Sequence, residues 1–210
     1  GPGGSAMSDP FIVVGSFNAA KAAEMAELLR GFHVAVRGLR DFPAVRPVPE
    51  TGTTFAENSN MKALGMAAQI DAPGFLGLVA DDSGIEVDAL GGRPGVYSAR
   101  YVSEKATDPE RVQRILEELG TLSYEKRTAR FRCHVSFAVG GKVVIETEEK
   151  VEGFISFAPA GTFGFGYDPI FVPRGYDQTF GELGADVKHR ISHRAKALRL
   201  FRERMKEYLA

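Results

Sequence analysis

The first half of the chain alternates short apolar runs with segments of helical periodicity. The apolar and alternating runs predict three strands, at Phe11–Gly15, His33–Arg37 and Phe75–Ala80. Asn18 is a suitable N-cap for a helix reaching about Arg30. Thr54 and Glu57 have capping-box spacing for a second helix reaching about Gln69. Residues 38–52 contain three prolines and are predicted to form a loop.

The second half predicts a long hairpin between two helices. Thr107–Glu110 starts a third helix that ends near Gly120, and Ser192 caps the last one. Between them, two β segments are joined by the dipeptide Gly140–Gly141, a strong hairpin pattern; they run from Ala129 to Val139 and from Lys142 to Ile155. A further strand is predicted at Asp168–Pro173. The predicted buried face of the last helix consists of Ala195, Leu198, Phe201, Met205 and Leu209. This order of elements predicts a mixed α/β protein.

Composition narrows the class of protein. The formal net charge of -1 argues against a nucleic-acid binder that relies on bulk positive charge. Cys133 is the only cysteine, which favours a reducing compartment, and no apolar run approaches the length of a membrane span. Residues Gly1–Ala6 resemble a tag remnant without the apolar core of a signal peptide. We therefore expect one domain, or two closely associated lobes, over residues 7–210, located in the cytoplasm and without a membrane partner.

Two acidic residues, Asp81 and Asp82, follow the predicted strand Phe75–Ala80 directly. Ligands of open α/β sheets commonly bind at carboxyl ends of strands, and Mg²⁺ is commonly held by one or two carboxylates together with phosphates. Neighbouring residues of an extended chain point to opposite sides, so the two aspartates are expected to differ in role. The alternative is an ordinary turn, because Asp, Ser and Gly are common turn residues.

Two predicted helix starts carry cations where anions are normally favoured. Lys21 lies in the first turn after Ser16–Asn18, and His193 with Arg194 opens the last helix after the basic run Lys188–Arg190. A bound anion would offset these charges, because helix N-termini bind phosphate. In each case the alternative is a solvated cation beside an ordinary cap.

Two other segments add candidate contacts. Glu50 precedes the second helix, whose Lys62 can pair locally or face phosphate. The segment from Gly161 to Pro169 contains three glycines that permit close backbone approach. In it, Phe165 or Tyr167 can stack on a base or fill a core, and Asp168 is expected to be extended because it precedes a proline.

Taken together, these segments resemble the inosine/xanthosine triphosphate pyrophosphatases, which act on non-standard purine nucleotides. The resemblance extends from Ile12 to Leu198 and is strongest in four blocks, Ala80–Gly92, Pro94–Tyr101, Gly164–Phe171 and Ile191–Leu198. It implies a mixed, elongated sheet flanked by helices, two lobes with a central cleft, and a homodimer. It also implies hydrolysis of ITP, dITP and XTP to the monophosphate and pyrophosphate, with Mg²⁺.

The resemblance also implies residue roles. Asp82 would be the general base and, with Glu50, a metal ligand, and Asp81 a second catalytic carboxylate. The implied substrate contacts are Ser16, Phe17, Asn18, Ala19, Ala20, Lys21, Lys62, Ser83, Phe165, Gly166, Tyr167, Asp168, Lys188, His193 and Arg194. Two positions depart from the family pattern: Phe17 replaces a glycine of the phosphate loop, and Pro49 replaces a second acid before Glu50.

Three functions are alternatives to a purine nucleotide pyrophosphatase. A related enzyme for modified pyrimidine or methylated nucleotides is less consistent with the Ile191–Arg194 block. A Nudix-type pyrophosphatase is disfavoured because no glycine-led helix carries the Arg-Glu and Glu-Glu pattern. A non-catalytic nucleotide sensor would keep the basic contacts but would not need Asp81, Asp82 and Glu50 together.

Overall fold

The computed structural model describes residues 9–210, and the predicted tag remnant Gly1–Ala6 lies outside the described residues. The strands are β1 (Phe11–Val14), β2 (Ala35–Gly38), β3 (Phe75–Val87), β4 (Thr128–Val139), β5 (Lys142–Ile155) and β6 (Phe171–Pro173). They form one sheet in the order β2-β1-β3-β4-β5-β6. The pairings of β1 with β2 and with β3 are parallel, whereas β5 and β6 are antiparallel, so the predicted mixed α/β class is confirmed.

The helices are α1 (Ala19–Leu28), α2 (Phe55–Ala67), α3 (Asp108–Leu119), α4 (Phe180–Leu183), α5 (Ala185–Ile191) and α6 (His193–Leu209). Their predicted caps are confirmed. Asn18 accepts the amide of Lys21 at 3.0 Å, and Ser192 accepts the amide of Ala195 at 3.0 Å. Helices α4 and α5 were not predicted, because they have only 4 and 7 residues and show little periodicity.

The aspartate pair lies inside strand β3, and both predictions for its backbone are wrong. We expected a strand ending at Ala80 or a turn after it, but β3 continues to Val87. Asp, Ser and Gly have low strand propensity, but the neighbouring strand β4 overrides that preference. The nearby strand end belongs to β1, whose register with β3 stops at Val14 opposite Val79.

Three smaller predictions also differ. Residues Asp168–Ile170 form a 3-10 turn, so only Phe171–Pro173 is a strand. Asp168 is consequently not extended, because it begins a turn in which the amide of Ile170 donates to the carbonyl of Tyr167 at 3.1 Å and the amide of Phe171 donates to the carbonyl of Asp168. Leu209 is 40% exposed instead of buried, since it is the last residue of α6.

The chain forms two compact units. Unit 1 comprises the chain up to Asp81 together with Val135–Thr147 and Leu198–Ala210, and unit 2 comprises Asp82–His134 and Glu148–Ala197. Each unit has its own apolar core. The core of unit 1 contains Phe11, Val13, Met66, Leu78 and Ala80. The core of unit 2 contains Ile85, Ile115, Phe131, Ile155, Phe171 and Phe180.

Candidate active site

The end of strand β1 brings a lysine to the buried aspartate pair. Gly15 donates its amide to the carbonyl of Val79 at 2.8 Å, which aligns the following loop with β3. Lys21, in the first turn of α1, then lies 3.4 Å from Oδ1 of Asp81. Asp81 is 3% exposed and Asp82 is 7% exposed, so both carboxylates are held away from bulk water. A buried carboxylate is costly unless a cation or hydrogen bonds offset its charge.

The rest of the predicted phosphate loop is open to solvent. Phe17 is 53% exposed and packs into no core, and Ala19 and Ala20 are exposed at the start of α1. The hydroxyl of Ser16 accepts the amide of Asn18 at 3.3 Å. The loop therefore has a fixed helix start, formed by Asn18, and an exposed face that a ligand can reach.

Glu50 and Lys62 form a second carboxylate–lysine pair in unit 1, with Nζ and Oε1 2.7 Å apart. The start of α2 holds the segment after Glu50. Asn58 accepts the amide of Gly52 at 2.8 Å, and Thr54 accepts the amide of Glu57 at 3.0 Å. The predicted capping box is only half correct, because the carboxylate of Glu57 accepts the amide of Thr53 at 2.8 Å instead of that of Thr54.

In unit 2, the start of α6 holds the residue that follows the aspartate pair. Arg194 donates to the hydroxyl of Ser83 at 2.7 Å and is itself 2% exposed. His193 is 4% exposed and stacks on Phe131, with ring centroids 4.7 Å apart. These two residues do occupy the first turn of a helix, as predicted, and both are buried there.

A buried ion pair joins the glycine-rich loop Gly161–Pro169 to helix α5, beside the ring of Phe165. Lys188 donates to Oδ2 of Asp168 at 2.7 Å, and the two side chains are only 1% and 4% exposed. The Nζ atom of Lys188 also lies 4.5 Å from the centroid of the Phe165 ring, and the guanidinium carbon of Arg194 lies 5.6 Å from it. Phe165 is half-buried, so one part of its ring surface remains available for stacking.

The structure resolves the alternatives for Tyr167 of this loop and corrects the expectation for the basic run of α5. Tyr167 belongs to the core of unit 2, where it is 6% exposed and donates to the carbonyl of Ser98 at 2.6 Å, so it fills the core and does not stack on a base. Burial raises the pKa of its hydroxyl well above the usual range. The basic run Lys188–Arg190 lies in the last turn of α5, where the helix dipole favours cations. It therefore gives no evidence for a bound anion.

Asp108 contacts this loop although no sequence pattern singled it out. It is the first residue of α3, and its Oδ2 accepts the amide of Gly166 at 2.8 Å. Acidic residues are common at helix starts, so no local pattern distinguishes this one. The substrate and catalytic roles of all the residues above stay predictions.

Within residues 9–210, no helix is long and apolar enough to cross a membrane. In the same range, no cluster of three or more His, Cys, Asp and Glu side chains is arranged to hold a metal ion.

Comparisons with known proteins identify the family. A model of the Ham1 family matches residues 12–204. The dITP/XTP pyrophosphatase of Bacillus anthracis is 43% identical over 199 residues, covering 94% of this chain and 96% of the relative. The enzyme of the same name from Bacillus subtilis is 42% identical over 187 residues, covering 89% and 92%.

Solved structures with a similar fold point to the same family. A HAM1 protein from Coxiella burnetii has a TM-score of 0.82 and 38% identity, covering 94% of this chain and 99% of that one. A nucleoside-triphosphatase / dITP/XTP pyrophosphatase from Mycobacterium abscessus has a TM-score of 0.71 and 38% identity, covering 91% and 98%. The resemblance predicted from the sequence motifs is confirmed, and this chain belongs to the Ham1 family.

Proposed function

We propose that this chain is a hydrolase that converts non-standard purine nucleoside triphosphates, namely ITP, dITP and XTP, to the monophosphate and pyrophosphate. Such an enzyme removes these nucleotides from the nucleotide pool. Relatives named dITP/XTP pyrophosphatase match nearly the whole chain. The observation in this chain that carries the proposal is the buried Asp81 paired with Lys21 at the end of β1.

Asp81 and Asp82 have different roles in this reaction. Water attacks the α-phosphorus, the bond from this phosphorus to the oxygen that bridges the α- and β-phosphates breaks, and pyrophosphate leaves. Asp82 accepts the proton of the attacking water, a role that a positioned carboxylate can fill. Asp81 holds Lys21, and because adjacent residues of a strand face opposite sides, its neighbour Asp82 is directed away from that pair. Lys21 contributes a phosphate contact.

We also propose Mg²⁺ as the cofactor, held by Glu50 and Asp82 together with substrate phosphates. The donors are carboxylate oxygens, which Mg²⁺ prefers, and it commonly needs only one or two of them from the protein. The lack of a larger cluster among residues 9–210 is compatible with this arrangement. Bound Mg²⁺ would stabilise the negative charge that develops on the phosphates.

Base selection is assigned to residues of unit 2. The half-buried Phe165 offers a stacking surface, Lys188 and Arg194 supply donors near its ring, and Arg194 also contacts Ser83. His193, buried at the start of α6 beside Arg194, is proposed as a further donor. A 6-oxo purine presents an acceptor where adenine presents an amino donor. A site built around donors leaves them unsatisfied against adenine and can discriminate by up to about 10⁴–10⁵-fold.

A pyrophosphate-release assay tests this function. Purified protein is given ITP, dITP, XTP, ATP and GTP, with and without Mg²⁺. We expect rapid pyrophosphate release from the first three, and only with the metal. An ATP rate as high as the rates on ITP, dITP and XTP would refute the proposed base selection. Nucleotide binding without turnover would instead identify a sensor.

We further propose a cytoplasmic homodimer. The family resemblance supports the dimer, and the single buried Cys133 is consistent with a reducing compartment. Sedimentation analysis of the purified protein should give twice the 22.7 kDa mass of one chain. A single species of monomer mass across the micromolar range would refute it.

A further inference from the structure

The backbone around Phe165 is held by two carboxylates from different elements. The amide of Phe165 donates to Oδ2 of Asp168 at 3.1 Å, and the next amide, that of Gly166, donates to Oδ2 of Asp108 at 2.8 Å. Gly164 and Gly166, on either side of the ring, have positive φ angles of 80° and 61°. Glycines at both positions leave this segment with many alternative conformations, so the two bonds have a large effect on where the ring lies.

Only one of these carboxylates belongs to the residues already assigned to the base. Asp168 pairs with Lys188 directly beneath the ring, whereas Asp108 lies in α3, far along the chain. The other oxygen of Asp108 lies 3.6 Å from Arg111, which donates to the carbonyls of Tyr101 and Ser103 at 3.1 and 3.0 Å. Asp108 is therefore anchored on one side and contacts the loop on the other.

Helix stability does not account for the contact with Gly166. The start of α3 is already capped by Thr107, whose side chain forms a full capping box with Glu110. A carboxylate at the first helical position adds a favourable dipole interaction, but that interaction needs no partner in another loop. The bond to the Gly166 amide joins α3 to the loop that carries the aromatic ring.

We propose that Asp108 is a positioning residue for base recognition, acting through the Gly166 amide to fix the Phe165 ring. This inference rests on the proposed function. Asp108 is not one of the residues proposed to contact phosphate or base, so its loss should weaken nucleotide binding and base discrimination while leaving the hydrolytic step nearly unchanged. A purely structural role would instead lower stability without changing the Michaelis constant.

Three variants test the proposal. Asp108→Ala removes the acceptor, Asp108→Asn keeps an oxygen that can accept the same amide, and Thr107→Ala destabilises the same helix end without touching Gly166. For each, kcat and KM are measured on XTP and ATP, and thermal unfolding is followed in parallel. For Asp108→Ala we expect KM for XTP to rise about tenfold, equivalent to about 1.4 kcal/mol. The preference for XTP over ATP should shrink with kcat little changed.

The remaining variants and a binding assay decide the outcome. Asp108→Asn should recover most of the affinity, and Thr107→Ala should keep the wild-type KM despite a lower Tm. Equal KM values for Asp108→Ala and Thr107→Ala, or a wild-type KM in Asp108→Ala, would overturn the proposal. Calorimetry with xanthosine monophosphate tests the same contact without turnover. If the wild-type protein releases no pyrophosphate, the proposed function fails, whereas a wild-type Kd in Asp108→Ala refutes the positioning role alone.

Discussion

Among the candidate site residues, the lysine–carboxylate pairs of the two units lie in different environments. In unit 1, the side chains of Lys62 and Glu50 are 17% and 33% exposed, and Lys21 is 15% exposed beside its buried partner. In unit 2, Lys188 and Asp168 are 1% and 4% exposed at the same 2.7 Å separation as Lys62 and Glu50. A partly solvated lysine can exchange its partner for a phosphate, whereas a buried pair is a fixed part of the framework. In the proposed function, the partly solvated lysines of unit 1 contact phosphate, whereas the buried Lys188–Asp168 pair lies beside the ring proposed to stack on the base.

The largest expected effect concerns Asp82. In Asp82→Asn the side chain keeps its shape but cannot accept a proton, so turnover should fall about 10²–10⁴-fold, the usual contribution of a general base. Nucleotide binding should stay largely intact, because the phosphate and base contacts are unchanged. Pyrophosphate release and calorimetric titration measure the two quantities separately. Wild-type turnover in this variant would eliminate Asp82 as the base.

The second prediction compares the two pairs directly. Lys188→Met leaves the Asp168 carboxylate buried without its cation, which should cost about 3–5 kcal/mol of unfolding free energy. Lys62→Met breaks a pair that is partly solvated, for which the expected cost is about 0–1 kcal/mol. Urea denaturation of both variants measures the difference. Similar losses would show that burial does not distinguish the pairs.

The third prediction concerns the phosphate contact of Lys21. Lys21→Ala should raise KM about tenfold, the loss expected for one charge-assisted hydrogen bond of about 1.5–3 kcal/mol partly compensated by solvent. Lys105→Ala removes an exposed lysine elsewhere and controls for net charge. If both variants keep the wild-type KM, Lys21 does not contact phosphate. If both raise it equally, the effect is only one of overall charge.

Caps and periodicity predicted much of the fold. Asn18, Thr107 and Ser192 each carry a side-chain oxygen at a helix start, and a two-glycine turn between apolar segments leaves little choice but a hairpin. Strand β3 could not be predicted in full, because its polar centre is stabilised by neighbouring strands that are distant in sequence.

Only part of the candidate site could be predicted from the sequence. Motifs singled out Asp81, Lys21 and Arg194, since each is unusual for its local position. The partners of these residues depend on tertiary structure. Neither the pairing of Glu50 with Lys62 nor the bond from Gly166 to Asp108 has a local pattern. The two alternatives for Tyr167 stayed open in the sequence, because an aromatic side chain in a glycine-rich loop can equally stack on a base or fill a core.

The smallest expected effect separates burial from membership of a unit, because it concerns a partly solvated ion-pair network in unit 2, in which Arg130 donates to Glu152 as well as to Asp88. Arg130 donates to both carboxylate oxygens of Asp88 at 3.0 Å, and the Asp88 side chain is 43% exposed. These hydrogen bonds hold the pKa of Asp88 below its ordinary value, outweighing the opposing effect of burial. A lowered folded-state pKa stabilises the protein above the unfolded value and loses that contribution as the pH falls through the folded value.

The Tm advantage of the wild type over Arg130→Met should therefore be small and constant from about pH 5 to 8, and should shrink below about pH 4. It should also fall with added salt, because the pair is solvated. Thermal unfolding across this range measures it, with Thr128→Val, which removes a hydrogen bond from an uncharged donor to Asp88 but leaves the Arg130 charge in place, as the control. The Tm advantage over Arg130→Met could instead equal the Tm advantage over Lys188→Met and persist at pH 3. In that case, the location of a pair in unit 2 would matter more than its exposure. An advantage that is small and acid-sensitive would leave burial as the property that distinguishes the Lys188–Asp168 pair.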